Sequence, residues 1–399
     1  MSQPPKTSLT RYGGWLPVNP AIITSFVQNL IQVSAPKRRA RAAHTEPITD
    51  FDQLLYLMDE IIVAPPRFYM ARDDAGNIIG EPIGVPMYLL FDLLSNTGAA
   101  YDLFRKQAFN AALKDLLDAW GTYLKTPDSN KTLTDDDEGW FGTIALKSLE
   151  DKDRGDFNAT YVCPDPNAVN RGFTSWDEFF TREVQADARL VDFPEDKTLI
   201  HSACESTVYR IQTGVKDHDQ FWLKGQAYSV YDMLYRDATA AQSFAFLSPQ
   251  DYHRWRCPID GTITCAEVVP GTYYAIIPDT GAEVGDPDLQ PGDPHGALIR
   301  SQAWLTHSST RAIIYIQSDN PVIGLVAFIG VGMAEVSTCE VTVQSGQKVS
   351  TGDELGAFHF GGSSHALIFG PQVKVTFADH VIVDQHLKVN SIIAQASKA

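Results

Sequence analysis

The feature that most constrains this chain is a change of texture between its two halves. Up to about residue 165 the apolar residues recur at helical spacing. From about Ile200 they fall into short β-rich runs, such as Arg311-Ala312-Ile313-Ile314-Tyr315-Ile316 and Val322 to Ile329, bounded by Gly, Pro, Asn and Ser. Helices first and strands afterwards argue for an α+β fold. The expected organisation is an N-terminal helical domain over 1–165 and a β-rich core over 166–399, and a chain of 399 residues is long enough for both.

In the helical half, Asn19-Pro20 offers a capping side chain followed by a proline that loses no needed hydrogen bond. Ile22, Ile23, Phe26, Val27, Leu30 and Ile31 follow at helical spacing, and a basic stretch with Lys37, Arg38, Arg39 and Arg41 comes next. The stripe is short, which favours a helix packed on its own domain over one lying on a membrane. A second helix is expected from Tyr101 to Leu124, with Phe104, Phe109, Leu113, Leu116, Leu117 and Trp120 on one face. The acidic run Asp135-Asp136-Asp137-Glu138 lacks the alternating spacing of a calcium loop and is expected to be a solvated loop. Pro278 to Gly296, rich in Asp, Pro and Gly, is expected to be a long surface loop and a candidate pocket cover.

Charge narrows the partners. A formal net charge of −17 repels phosphate, so neither nucleic acid nor an anionic membrane surface is an expected partner. The five cysteines are scattered and form no CxxC pair, which weighs against a disulfide framework or a zinc site and fits a reducing compartment. No signal peptide or membrane-spanning run is visible in the sequence, so the cytoplasm is the expected location.

Chemistry concentrates in Phe358-His359-Phe360-Gly361-Gly362-Ser363-Ser364-His365. Two glycines before a serine give a backbone that can be bent and approached closely. If that peptide is strained, the Ser363 hydroxyl can attack the Gly362 carbonyl and turn the amide into an ester. Elimination then frees the upstream carboxylate, and the dehydroalanine left behind hydrolyses to a pyruvoyl group. Alone, Gly-Gly-Ser-Ser is weak evidence, since most such tetrapeptides are ordinary turns.

The wider context resembles the phosphatidylserine decarboxylase family, whose processing sites read Gly-Ser-Thr or Gly-Gly-Ser-Ser/Thr. Four further segments match that family's motifs in order: Ser175-Trp176-Asp177-Glu178-Phe179-Phe180-Thr181-Arg182, Lys224-Gly225-Gln226-Ala227-Tyr228-Ser229, Leu247-Ser248-Pro249-Gln250-Asp251-Tyr252-His253-Arg254, and Val331-Gly332-Met333-Ala334-Glu335-Val336. Within the family, Trp120-Gly121, Tyr252-His253-Arg254-Trp255 and the segment from Phe358 to Ser364 are most similar to the fungal L-tryptophan decarboxylases of psilocybin biosynthesis.

The resemblance implies self-cleavage between Gly362 and Ser363, leaving a large chain 1–362 and a small chain 363–399 that stay associated through expected strands such as Val373 to Phe377 and His380 to Val383. It implies a covalent pyruvoyl cofactor derived from Ser363, with neither a metal nor pyridoxal phosphate, and a small-molecule amino acid as substrate, L-tryptophan giving tryptamine. His253 becomes the candidate base. Glu205, in Ser202-Ala203-Cys204-Glu205-Ser206-Thr207, stands where the family carries an aspartate, and would orient His253 in an acid–base–nucleophile relay with Ser363. Lys224 is a candidate for steering the substrate carboxylate. The family's second histidine, three residues after the first, is replaced by Arg256, which cannot act as a base but suits a bidentate carboxylate contact. Arg311 takes the place of the arginine in the family's N-E-R segment, with Ser309 and Thr310 altered before it. Three alternatives stay open: a phosphatidylserine decarboxylase making phosphatidylethanolamine, an uncleaved hydrolase using Ser363, His253 and Glu205, and an inactive paralogue.

Overall fold

The computed structural model describes residues 51–68 and 85–399, except 213–220, 224, 225, 229, 235–240, 249, 286–289, 337, 361 and 362. The expected helix over Ile22 to Ile31 and its basic tail, as well as Lys224 and Gly362, lie outside the described residues. The chain divides into two compact units.

One unit joins the described residues up to Ala145 with 174–176 and 272–302. Its helices are α1 (Phe51–Ile61), α2 (Pro86–Ser95), α3 (Gly98–Leu103), α4 (Gln107–Leu124) and the short α5 (Ala297–Arg300). The single helix expected from Tyr101 to Leu124 is broken at Phe104–Lys106, because Lys106 is extended (φ −74°, ψ 129°). Asn110 makes the break tolerable: its Nδ2 donates to the carbonyls of Phe104 and Lys106, at 2.8 and 3.0 Å. The α4 face bearing Phe109, Leu113, Leu116, Leu117 and Trp120 is buried, as its period requires. Phe91, Phe104, Phe109 and Tyr274 form one aromatic cluster, which draws the stretch after residue 272 into this unit.

The Pro278–Gly296 segment is fastened within the same unit. Asn96 and Asp279 exchange two hydrogen bonds of 3.0 and 2.7 Å, Gly296 N donates to Asp92, and Arg300 closes on Asp279 at 2.8 Å. Asp92 is buried, and that burial raises its carboxyl pKa despite the opposing pull of His295 and the Tyr88 hydroxyl. Among the described residues no helix is long and apolar enough to cross a membrane.

The other unit contains the strands. In chain order these are β1 (Leu199–His201), β2 (Ser206–Gln212), the hairpin β3 (Phe221–Leu223) and β4 (Gln226–Tyr228), β5 (Ala241–Leu247) and β6 (Arg254–Arg256). Then come β7 (Gly261–Val269), β8 (Arg311–Ser318), β9 (Leu325–Gly332), β10 (Thr338–Val341) and β11 (Lys348–Val349). Last are β12 (Glu354–His359), β13 (Ser363–Phe369), β14 (Val373–Phe377), β15 (His386–Leu387) and β16 (Ile392–Lys398). Among the described residues, eight of them form one antiparallel sheet in the order β11-β7-β8-β9-β13-β5-β2-β15. Two three-stranded sheets, β10-β12-β6 and β1-β16-β14, accompany it.

Trp255, Leu355 and Phe358 from β6 and β12 share one buried cluster with Ile314, Phe328 and Leu367 of the large sheet. Trp255 contacts Phe328 at 5.2 Å and Phe358 at 4.7 Å between ring centroids. The unit is therefore an α+β core in which two sheets bury their apolar faces against each other. A strand suggested by His380–Val383 does not form. Val381 is buried, but Ile382 and Val383 are exposed, and Asp384 adopts φ +68° in the turn leading to β15.

Candidate active site

Ser363 opens β13, the strand held between β9 and β5. It pairs with Gly332 on one side and Leu247 on the other, and is fully buried. Side chains alternate along a strand, so Ser363 shares its face with Leu367 and Phe369, both members of the core cluster. Its hydroxyl makes no hydrogen bond among the described residues. Just upstream, Phe360 is held at φ +77° although it is bulky and buried, a conformation that costs free energy and persists only under tertiary constraint.

The segment before Phe360 is clamped. Nδ1 of His359 lies 2.8 Å from Asp177, and Nε2 lies 2.6 Å from Glu340. Both ring nitrogens are thus engaged by carboxyl groups, which fixes the plane of the imidazole.

His253 sits immediately before β6 and is fully buried. Its carbonyl accepts from Phe358 N at 2.9 Å, which continues the β6–β12 ladder by one residue. Its ring stacks on Phe180 at 4.0 Å between centroids. By alternation His253 shares the core-directed side of Trp255, while Arg254 and Arg256 take the opposite side. Arg254 there reaches Glu183 and Glu354, at 3.0 and 2.8 Å. Arg256 donates to the Tyr252 hydroxyl at 2.6 Å and to Glu183 at 3.3 Å. The arginine standing for the family's second histidine is thus bound into a polar ladder on the face away from Trp255.

The turn that delivers His253 is built by Asp251. Its Oδ2 accepts from Ser248 N at 2.7 Å, and its Oδ1 meets Arg154 at 2.7 Å and His386 at 3.0 Å. Burial opposes ionisation of this carboxyl, but Arg154, His386 and the Ser248 amide outweigh it and hold its pKa well below the usual carboxylate range. Arg182, the last residue of the Phe-Phe-Thr-Arg motif, donates to the Gln250 carbonyl at 2.8 Å while its guanidinium lies over the rings of Tyr161, Phe179 and Phe157. That motif therefore supports the histidine turn from two points, Phe180 and Arg182.

Glu205 is fully buried, and both of its carboxylate oxygens are held by Arg189, from Nε and Nη2, each at 2.9 Å. The sequence pairs it with His253; in the structure its hydrogen bonds go to Arg189. The Arg189 guanidinium also donates to the Arg154 carbonyl at 2.7 Å. Glu205 is thereby linked through Arg189 and Arg154 to Asp251. Arg311 donates to the backbone carbonyls of Met233, His307, Ser309 and Asp232, which makes it a structural tie.

Ser363 and His253 thus lie on the two buried faces that make the core, while Glu205 and Arg256 are engaged elsewhere. Sequence reasoning missed Arg154, Arg189, His386, Asp177 and Glu340. Only Asp177 lay within a quoted motif, and nothing in the sequence marked it as a partner of His359.

Residues 8–149 match a family model described as phosphatidylserine decarboxylase, and residues 176–395 match a second model of the same description. The chain belongs to the phosphatidylserine decarboxylase family, and it is a carboxy-lyase. It is 58% identical over 350 residues to the decarboxylase iboD of Amanita muscaria, covering 86% of this chain and 100% of that protein. It is 34% identical over 388 residues to the L-tryptophan decarboxylase of Psilocybe cubensis, covering 89% of this chain and 87% of that protein. The phosphatidylserine decarboxylase proenzyme 3 of Schizosaccharomyces pombe is 27% identical over 57% of this chain, which spans 22% of that protein.

Proposed function

We propose that this decarboxylase cleaves its own chain before Ser363 to create a covalent pyruvoyl group, and then decarboxylates a free aromatic L-amino acid, with L-tryptophan giving tryptamine. The observation that carries the reading is Ser363 itself: a buried hydroxyl without a hydrogen-bond partner among the described residues, at the head of a central strand and on the core face. Among the described residues Ser206 and Ser364 have buried unpaired hydroxyls too, so what fits a reacting group is the place of this one, directly after the Gly361-Gly362 pair.

In this reading His253 takes the proton as the Ser363 Oγ adds to the carbonyl carbon of residue 362. The amide C–N bond breaks and an ester forms. Loss of the Ser363 α-proton then breaks the Cβ–Oγ bond and frees the upstream carboxylate. Water enters at the resulting dehydroalanine, ammonia leaves, and a pyruvoyl group caps residues 363–399. When present, that carbonyl supplies an electron sink for the departing CO2. The chain's own residues bind the amino acid in a dry core, and His253 holds the proton that is returned to the product carbon. A placed acid of this kind is worth about 10²–10⁴ in rate. Glu205 serves as a positioning residue that acts through Arg189 and Arg154 on the Asp251 turn. The two chains stay together because β13 is sandwiched between β9 and β5, while β14, β15 and β16 pair within sheets of the same unit.

The amino-acid substrate is supported by coverage. Relatives named for L-tryptophan align along about nine-tenths of the chain, whereas the phosphatidylserine proenzyme of Schizosaccharomyces pombe aligns along 57% of it. Intact-mass analysis tests maturation: two chains divided at Ser363 are expected, with Ser363→Ala remaining whole. Product release from soluble tryptophan, compared with phosphatidylserine vesicles, tests the substrate. A single uncut wild-type chain that still releases CO2 would overturn the cofactor reading.

A further inference from the structure

A second buried polar group lies two residues along the strand from Ser363. By alternation His365 projects from the same face of β13. It is 5% exposed, and its ring lies nearly parallel to Phe328, with centroids 6.0 Å apart and planes inclined by 22°. Its Nδ1 is buried and makes no hydrogen bond among the described residues. A structural histidine at this depth is ordinarily satisfied, since an unpaired buried nitrogen destabilises the fold.

The ring's partners across the sheet are small. In its own row of the sheet, His365 is flanked by Gly330 on β9 and Ala245 on β5, so neither neighbour carries more than a methyl group. Gly330 is kept bare by packing, because a Cβ there would come within 3.0 Å of Trp255 and 3.2 Å of both Phe328 and Phe358. Next to this row, Ser363 faces Gly332 on one side. The two polar side chains therefore share a strip of the core face edged by glycines. Burial lowers the His365 pKa to about 4, so the ring is neutral at pH 7 and presents one N–H donor and one acceptor.

We infer that His365 is a specificity-determining residue, hydrogen-bonding a heteroatom on the side chain of the amino acid held at position 363. This rests on the maturation reading above. It selects side chains such as an indole, imidazole or amide over groups of similar size that hydrogen-bond weakly or not at all, because a ligand that cannot pair with the imidazole leaves it buried and unsatisfied.

The test uses matured wild type, His365→Phe and His365→Gln, with maturation checked by intact mass. Substrates are offered in matched pairs: tryptophan against 3-benzothienylalanine, histidine against phenylalanine, glutamine against methionine. Affinity for the corresponding amines is measured by calorimetry, a readout independent of turnover. Wild type is expected to favour the strongly hydrogen-bonding member of its preferred pair (tryptophan, histidine or glutamine) by roughly tenfold or more, in both kcat/KM and amine affinity. His365→Phe should bring that ratio to within about twofold, and His365→Gln should retain part of it. An uncut wild type would sink the maturation reading and this inference with it. Normal maturation with undiminished discrimination in His365→Phe would overturn this inference alone. It is also overturned if both variants fold by circular dichroism yet stay uncut, because His365 would then act in maturation.

Discussion

Arg189 grips Glu205 with two hydrogen bonds, Nε and Nη2 each 2.9 Å from a separate carboxylate oxygen, and both side chains are almost wholly buried. Bidentate geometry makes this a strong pairing, but its value depends on both partners being present. Arg189→Met leaves a carboxylate buried without compensation, and should lower urea stability by about 3–5 kcal/mol. The double variant Arg189→Met with Glu205→Met should recover much of that loss, since apolar pairs of similar volume often replace buried ion pairs at little cost. Were Glu205 to orient His253 directly, Glu205→Gln would block cleavage with Arg189 still in place. The structure leads to the expectation that Glu205→Gln slows cleavage by less than His253→Ala does, as followed by intact mass.

The clamp on His359 gives a second prediction. His359→Phe strands the mostly buried Asp177 without its donor, while Glu340 is open to water and tolerates the loss. An unmatched buried carboxylate should cost about 1–3 kcal/mol, measured by urea unfolding. The clamp also ends β12 just before Phe360 and its φ of +77°. Releasing it should relax the backbone ahead of Ser363 and slow maturation roughly tenfold, a modest effect on the scale expected for misplaced reacting groups. Wild-type cleavage kinetics in His359→Phe would show that the clamp is structural only.

Asp251 predicts the acid limb of stability. Its carboxyl pKa in the folded protein is depressed, chiefly by Arg154 and His386 working against burial. An unfolded aspartate titrates near 3.9, so the unfolded state takes up its proton first as pH falls. The contribution of Asp251 is therefore complete above about pH 5, and is lost progressively below about pH 4. Asp251→Asn should be less stable at pH 7, with a shallower loss of stability below pH 4. Urea midpoints from pH 3 to 7 check both statements.

How much of this was legible in the sequence depends on the range of each interaction. The α+β class and the runs that became β8 and β9 follow from local period and turn residues. The break between α3 and α4 was not legible, because Asn110 satisfies the exposed carbonyls through a contact that a helical period does not register. Glu205 was expected to serve His253. Its actual partner lies 16 positions upstream, in a stretch without motif character. Arg154 and Asp251 are 97 positions apart, and Asp177 and His359 are 182 apart. Such pairs are set by which strands become neighbours, and no spacing rule along one chain contains that information. His380–Val383 looked like a strand because it is apolar, yet a turn-forming backbone at Asp384 overrides that propensity.

His365 yields a pH signature that separates its burial from any role in recognition. Burial lowers its pKa to about 4 in the folded protein, against about 6.5 for an exposed imidazole. Both states are neutral above pH 6.5, so the effect is absent from the pH dependence there. As pH falls from 6.5 towards 4, the unfolded state binds a proton that the folded state refuses, and stability declines. A gap of about 2.5 units corresponds to about 3 kcal/mol lost across that window. His365→Phe has no such group, so its stability should stay flatter between pH 6.5 and 4, while Asp251 keeps its own limb below pH 4. Urea unfolding of the two proteins at half-unit pH steps measures the difference directly. Parallel curves would mean that the imidazole is hydrated in the folded state.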